Sequence, residues 1–82
     1  METISFELDP GRDHVELHHL LKLVGLSDSG GGAKQLVATG QVTVDGVVEL
    51  RKTCKIRTGQ VVVLGAARIE VGTSPAQADM RE

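Results

Sequence analysis

The sequence is nearly devoid of aromatic residues. Phe6 is the only one among 82 residues, and tryptophan and tyrosine are absent. Protein modules that bind unstacked bases, such as RRM-type sheets and single-strand-binding barrels, need exposed aromatic rings on which those bases stack. The scarcity of aromatics therefore excludes that mode of nucleic-acid binding. It also leaves a core of Val, Leu, Ile and Ala, which in so short a chain is too small to surround a deep pocket.

Cysteine and clustered metal ligands are also scarce. With Cys54 as the only cysteine, an intrachain disulfide is impossible, and no Cys-x-x-Cys pair suggests a zinc site. His14 and His18 have the i, i+4 spacing of two ligands, but no third ligand completes a set. We interpret the histidines as solvated surface residues and Cys54 as a small core residue. No nucleophile and base stand together, so we expect no metal, no cofactor and no enzymatic activity.

Long apolar runs are absent as well. No segment approaches the roughly 18 apolar residues of a membrane span. The first 13 residues are acidic and lack the basic start and apolar run of a signal peptide. We therefore expect a cytoplasmic protein with no membrane partner. Nothing in the sequence specifies a dimer, so we expect a monomer.

The charges are unevenly distributed along a mildly acidic chain. The formal net charge is −2, which argues against a general polyanion binder. However, residues 1–16 contain five carboxylates and one arginine, whereas residues 34–57 contain five cations and two carboxylates. Binding to phosphates depends on the cations that touch them rather than on total charge. An acidic protein with one basic face can therefore still bind RNA.

Apolar periodicity predicts a helix that begins near Leu17. Apolar residues follow at i, i+3, i+4 and i+7 as far as Val24, and Gly25 is placed to end the helix. Before it, Asp13 and Glu16 have the spacing of a capping box.

A second helix is predicted from Ser29, a good N-cap, to Gly40, a natural C-cap. Two short amphipathic helices this close in sequence should pack on each other, because neither can bury its apolar stripe alone.

Strand patterns flank and follow these helices. Asp45-Gly46 has the composition of a two-residue hairpin loop, and the last strand could close the sheet. From Gly72 onward the sequence is polar and aperiodic. We assign residues 1–72 to a single domain and residues 73–82 to a flexible C-terminal tail. The segments with strand patterns are 3–8, 41–44, 47–50, 61–64 and 68–71.

The most basic segment runs from Arg51 to Arg57. If it is extended, alternate residues place three cations on one face, and Lys52 falls on the other face with Cys54 and Ile56. Cations in a row repel one another, a cost that a bound anion would offset. The alternative is a solvated strand edge, where lysines also discourage aggregation.

Three glycines, Gly30 to Gly32, occupy the first turn of the second helix. They leave the unpaired N–H groups of the helix start bare, so that a phosphate could approach them. Close packing against the first helix or a loop is the alternative explanation. The spacing is not that of a nucleotide-binding loop, because Lys34 is not followed by Ser or Thr.

The stretch from Glu16 to Leu64 resembles the S-four RNA-binding domain, named for the fourth protein of the small ribosomal subunit. It looks most like the small stand-alone bacterial YbcJ-like members, which share the Val15-Glu16-Leu17 start, the Ser29-Gly30 opening and the run from Arg51 to Ile56. The residues that match the family pattern are Leu17, Gly25, Ser29, Ala33, Lys34, Leu36, Val37, Gly40, Val42, Val44, Gly46 and Gly59.

This resemblance implies an α+β fold of two short packed helices against a small, mostly antiparallel sheet. It also implies binding to structured RNA, ribosomal or transfer RNA. The family usually has Arg at the position of Gly30, Asn at that of Asp45, and an Arg…Asp pair near Glu16 and His18. The basic segment that begins at Arg51 would then replace the missing phosphate contacts.

Our leading hypothesis is a non-enzymatic RNA-binding module that contacts the phosphate backbone through a local basic face. A protein-interaction adaptor, on the ribosome or with another acidic partner, is the alternative, and ribosomal proteins are candidate partners. A small phosphate-handling enzyme ranks third, because no catalytic base accompanies the glycines. The expected RNA-binding residues are the cations Lys34, Arg51, Lys52, Lys55 and Arg57, with Ser29, Gly30 and Gly31 as donors at the helix start.

Overall fold

Two short helices pack against a five-stranded sheet. The computed structural model describes residues 2–9 and 11–73. The predicted α+β class, with two helices and a mostly antiparallel sheet, is confirmed. The elements in chain order are β1 (Glu2–Leu8), β2 (Val15–Glu16), α1 (Leu17–Leu23), α2 (Gly30–Ala38), β3 (Val42–Val44), β4 (Val47–Val48), β5 (Lys55–Ile56), β6 (Val61–Leu64) and β7 (Ala67–Thr73).

The large sheet has the strand order β1-β7-β6-β3-β4, and β2 and β5 form a separate antiparallel pair. Among the strands of the described residues, β1 and β7 alone run parallel, with Glu2 opposite Ala67 and Leu8 opposite Thr73. Strand β7, which could have closed the sheet at an edge, lies inside it, between β6 and β1. It also continues past Gly72 to Thr73. Most of the predicted tail, residues 74–82, lies outside the described residues.

The core lies between the apolar faces of the helices and one face of the sheet. All the predicted apolar positions of α1 from Leu17 to Leu21 are fully buried, and no polar or charged residue is buried in the described part of the chain. Burying one such leucine stabilises the fold by about 1.5–3 kcal/mol relative to leaving it exposed. The largest fully buried side chains are Leu17, Leu20, Leu21, Ile56, Ile69, Val37, Val42 and Val62.

Helix α1 begins at Leu17, three residues later than a capping box at Asp13 would place it. Residues Val15–Glu16 pair with β5 instead, and the Glu16 side chain makes no capping hydrogen bond. Backbone N–H groups of the first helical turn donate to the loop before β5, from Leu17 to the Cys54 carbonyl (2.9 Å) and from His18 to the Lys52 carbonyl (3.0 Å). The capping-box prediction is wrong. Val15–Glu16 belongs to a strand pair, and carbonyls of a distant loop accept the hydrogen bonds from the start of α1.

The other predicted helix ends are confirmed. The Ser29 hydroxyl accepts a hydrogen bond from the Gly32 N–H (3.0 Å) and so caps α2. Gly25 and Gly40, which follow the two helices, have φ of +84° and +79°. Glycine adopts this left-handed backbone without the steric cost of a Cβ atom. Both helices are therefore ended by local sequence signals.

The Asp45-Gly46 hairpin is also confirmed. Both residues have positive φ, +53° and +86°, as a type I′ turn requires. The Asp45 carboxylate accepts hydrogen bonds from the Val61 N–H (3.0 Å) and from the Gln60 side-chain amide (3.2 Å). Asp45 therefore serves the turn twice: its backbone tolerates the left-handed region, and its side chain joins the hairpin to the start of β6.

Replacing Asp45 with alanine should destabilise the fold, whereas asparagine should be tolerated. Alanine disfavours the left-handed region and leaves the Val61 N–H without its acceptor, which should cost about 1–2 kcal/mol of unfolding free energy. Asparagine tolerates that region and keeps one oxygen for the Val61 N–H, but its NH2 group cannot accept from the Gln60 amide, so its effect should be smaller, about 0.5–1 kcal/mol. Urea unfolding measures both. Equal destabilisation by D45N and D45A would instead implicate the negative charge.

Candidate nucleic-acid interface

The basic segment folds as a turn followed by a short strand. Residues Arg51 to Cys54, here called the basic turn, are closed by a hydrogen bond from the Cys54 N–H to the Arg51 carbonyl (3.2 Å). Only Lys55–Ile56 is extended. The condition for strict alternation, an extended chain over residues 51–57, therefore does not hold in the first half of the segment. Because the chain turns, Lys52 is exposed beside Arg51 instead of facing the core.

The basic turn is held in place by its neighbours. The Lys52 and Cys54 carbonyls accept the hydrogen bonds from the start of α1, so the turn caps that helix. Directly after the basic turn, strand β5 pairs with β2, and Lys55 lies opposite Glu16 in the strand register. Anchoring on both sides fixes where the cations emerge from the surface.

A cleft separates the basic turn from helix α2, with a volume of about 550 Å³. Cations stand on both walls: Lys34 on the helix, and Arg51 and Lys52 on the turn. We call it the basic cleft. Its lining residues are Gly31, Lys34, Gln35, Ala38, Leu50, Arg51, Lys52 and Thr53.

Most of the positive charge in this cleft is not neutralised. Within the described residues, the lysines Lys34 and Lys52 form no ion pair, whereas Arg51 Nε lies 3.1 Å from Glu49 Oε2. Hydrogen bonds from the Arg51 backbone N–H and guanidinium hold the pKa of Glu49 below its ordinary value. Three cations therefore face one carboxylate that is already engaged, and the cleft retains a net positive charge.

The last two predicted cations lie outside the basic cleft. Lys55 lines an adjoining groove of about 350 Å³ with Arg51, Thr53 and Cys54. Arg57 follows β5, and its Nη1 lies 3.6 Å from Asp13 Oδ2. The structure thus brings Lys55 to the rim of the basic cleft but pairs Arg57 with the acidic N-terminal region.

Asp13, the partner of Arg57, is itself held ionised. A hydrogen bond from His14 lowers the pKa of this carboxyl first, and the charges of His14 and Arg57 lower it further. Arg57 therefore faces a carboxylate that competes with any phosphate.

The glycine-rich helix start has two different explanations. A Cβ atom on Gly32 would lie 2.9 Å from the Ser27 hydroxyl and 3.3 Å from the Ser29 hydroxyl, so a side chain there would displace these hydroxyls, including the one that caps α2. Gly31 has open space around it and lines the basic cleft. The Ser29 hydroxyl already accepts the Gly32 N–H. Gly31, one of the predicted helix-start donors, therefore lies where its backbone could meet a ligand in the basic cleft.

Sequence reasoning missed several residues of the basic cleft. On α2 they are Gln35 and Ala38, which stand with Gly31 and Lys34 at i, i+3, i+4 and i+7 spacing. That periodicity marks the helix face beside the apolar one, and it could have been read from the sequence. Leu50 lies at the other wall and is 61% exposed, and no sequence pattern marks it as a residue of the cleft.

The described part of the chain gives no support to a reactive thiol, a metal site or a membrane-spanning helix. Burial, and to a lesser degree the Glu49 charge, raises the pKa of the Cys54 thiol, so the thiol stays protonated near neutral pH. Residues 2–9 and 11–73 contain no group of three or more His, Cys, Asp or Glu side chains that could hold a metal ion. None of their helices is long and apolar enough to cross a membrane.

Comparisons with known proteins agree with the resemblance found in the sequence. The family model described as the S4 domain matches residues 7–72. The "Putative RNA-binding protein YbcJ" of Escherichia coli strain K12 is 51% identical over 71 residues, which cover 87% of this chain and 97% of YbcJ. The "Uncharacterized protein YbcJ" of Shigella flexneri matches with the same identity and coverage.

A solved structure is similar over the same region. It is the solution structure of YbcJ from Escherichia coli, described as revealing an ALFAL motif involved in RNA-binding. The similarity has a TM-score of 0.63 with 48% sequence identity, and it covers 89% of each chain. Fold and sequence therefore lead to the same relatives.

Proposed function

This chain belongs to the S4 domain family, and on that premise we propose that it is a non-enzymatic RNA-binding module. It holds the phosphate backbone of structured RNA in the basic cleft. The similarity to YbcJ of Escherichia coli, whose name and solution structure both refer to RNA binding, supports this assignment.

The observation that carries the proposal is the meeting of cations from two separate elements at one cleft. Lys34 comes from α2, and Arg51 and Lys52 come from the basic turn. Like charges gathered at one place repel one another, and phosphates offset that repulsion while releasing their counter-ions. Both walls are anchored by backbone hydrogen bonds, so the backbone positions from which these side chains emerge keep their spacing when no RNA is bound.

The cleft suits the backbone of a folded RNA better than unstacked bases. None of its lining residues is aromatic, so it offers no platform for base stacking. Cations that emerge from two anchored walls favour phosphates that are already held at a matching spacing, which a folded RNA provides. Ribosomal or transfer RNA in the cytoplasm is the class of ligand that we propose, bound by the monomer.

Fluorescence anisotropy with folded bacterial transfer RNA and a folded ribosomal RNA fragment tests the proposal. The logarithm of the binding constant should fall linearly with the logarithm of the salt concentration, with a slope of roughly −2 to −4 for three to four phosphate contacts. An unstructured RNA of equal length is the control, and it should bind more weakly. Absence of binding at low salt, or binding that salt does not weaken, would contradict the proposal.

A protein-interaction adaptor is the second candidate, because an apolar patch lies beside the cations. Val47, Val48 and Leu50 are 69%, 52% and 61% exposed on and after the edge strand β4. Apolar side chains bordered by charges are typical of protein interfaces. A pull-down from bacterial lysate with and without nuclease separates the two functions. An acidic partner that survives nuclease treatment supports the adaptor, and one that is removed by it supports RNA binding.

A further inference from the structure

We propose that Glu49, an acidic residue beside a basic site, is a positioning residue for RNA binding: it orients the Arg51 guanidinium toward the basic cleft. The inference rests on the proposed function, because it concerns the same cleft. Charge repulsion alone would give the opposite expectation, that a carboxylate near bound phosphates only weakens binding.

The geometry around Glu49 is that of a clamp on one neighbour. Its Oε2 atom accepts hydrogen bonds from both the Arg51 backbone N–H (3.0 Å) and Arg51 Nε (3.1 Å). The backbone of Glu49 is itself anchored, because its N–H donates to the Val42 carbonyl of β3 (3.0 Å). The sheet thus fixes the backbone of Glu49, and the Glu49 carboxylate holds the backbone N–H and the Nε atom of Arg51.

This clamp leaves the phosphate-binding end of Arg51 available. A guanidinium has five N–H donors in one plane, and Glu49 engages only the one on Nε. Fixing Nε sets the orientation of that plane, and the four donors on the Nη atoms remain. The Arg51 side chain is 80% exposed while that of Glu49 is only 19% exposed, so the cation stands outward and the carboxylate lies beneath it.

The position of Glu49 limits the repulsion that it causes. Glu49 is not among the residues that line the basic cleft, although its two neighbours Leu50 and Arg51 are. Its carboxylate is close enough to the half-buried Cys54 thiol to raise the pKa of that group. Because Arg51 is already ordered before RNA arrives, less side-chain freedom is given up when a phosphate binds.

Two variants with the same charge separate orientation from repulsion. In E49Q the amide oxygen can still accept both hydrogen bonds from Arg51, whereas in E49A no acceptor remains. Binding to folded bacterial transfer RNA should weaken about fivefold in E49A although a negative charge is removed, and E49Q should stay within about twofold of the wild type or bind more tightly. Equal affinities for E49Q and E49A, or tighter binding by both, would overturn the proposal.

A double-mutant cycle with R51Q excludes a merely structural role. If Glu49 acts through the Arg51 side chain, E49A should cause little further decrease in affinity in the R51Q background. An equal decrease in both backgrounds would mean that Glu49 only stabilises the turn, and would refute the orienting role. Thermal unfolding confirms that each variant is folded at the assay temperature.

The two proposals fail in distinguishable ways. If the wild type does not bind folded RNA, the proposed function fails. If the wild type binds but E49A binds equally well, only the role of Glu49 fails.

Discussion

Replacing Lys34, Arg51 and Lys52 together with glutamine is expected to weaken binding to folded RNA roughly a hundredfold near physiological salt. This figure assumes roughly 1 kcal/mol for each exposed contact between a cation and a phosphate. Removing one phosphate contact should also reduce the magnitude of the salt slope by about 1, so the slope should shrink by about 3 for the triple variant. Fluorescence anisotropy over a series of salt concentrations measures both quantities.

A control variant with the same change in net charge shows whether the location of the cations matters. Arg12, Lys22 and Arg68 lie outside the basic cleft, and their joint replacement with glutamine also removes three positive charges. This control should keep its affinity within a fewfold of the wild type and should keep its salt slope. If both triple variants weaken equally, binding depends on overall charge and the assignment of the cleft is wrong.

Replacing Leu20 with alanine is expected to lower the free energy of unfolding by about 2–5 kcal/mol. The side chain is fully buried in the hydrophobic core, and the change removes apolar contacts and leaves a cavity. Domains of this size are stable by roughly 5–15 kcal/mol, and a small one should be near the lower end of that range. The substitution should therefore unfold a sizeable fraction of the protein on warming, and urea unfolding quantifies it.

The same substitution elsewhere on the helix provides the control. Leu23 lies in α1 as well, but its side chain is 54% exposed. Leu23→Ala should change the unfolding free energy by about 0.5 kcal/mol or less. Similar destabilisation of the two variants would mean that the apolar face of α1 is not the one assigned to the core.

Much of the fold follows from local signals in the sequence. The spacing from Leu17 to Val24 identifies the buried face of α1, and Ser29 identifies the start of α2. The Asp45-Gly46 pair identifies the hairpin, because few residues adopt positive φ. Each of these features is decided by neighbours in sequence, and the structure confirms them.

The features that sequence reasoning got wrong depend on contacts between distant segments. Asp13 does not cap α1, because Val15–Glu16 pairs with β5 and loop carbonyls take the first N–H groups of the helix. The segment after Arg51 is not continuously extended, because its carbonyls are drawn toward that helix. No local pattern in the segment before α1 or in the basic turn indicates that the two segments contact each other.

The candidate site was partly predictable for the same reason. The positive charges of Lys34, Arg51 and Lys52 are visible in the sequence, and the fold gathers them at one cleft. The charge of Arg57 is equally visible, but Arg57 faces Asp13, which the fold brings near it. Glu49 could not have been chosen from the sequence, because its negative charge argues against a role until its contacts with Arg51 are known.

Chemical-shift mapping by NMR during titration with folded transfer RNA tests the central claim most directly. We predict that the largest shifts occur at the backbone amides of Gly31, Lys34 and residues 51–53, with smaller shifts at Lys55. The amides around the small cleft that Phe6, Leu8 and Leu23 line, which shares no lining residue with the basic cleft, should stay unchanged. Shifts concentrated at that second cleft, or the absence of shifts at saturating RNA, would contradict the assignment of the basic cleft as the RNA-binding surface.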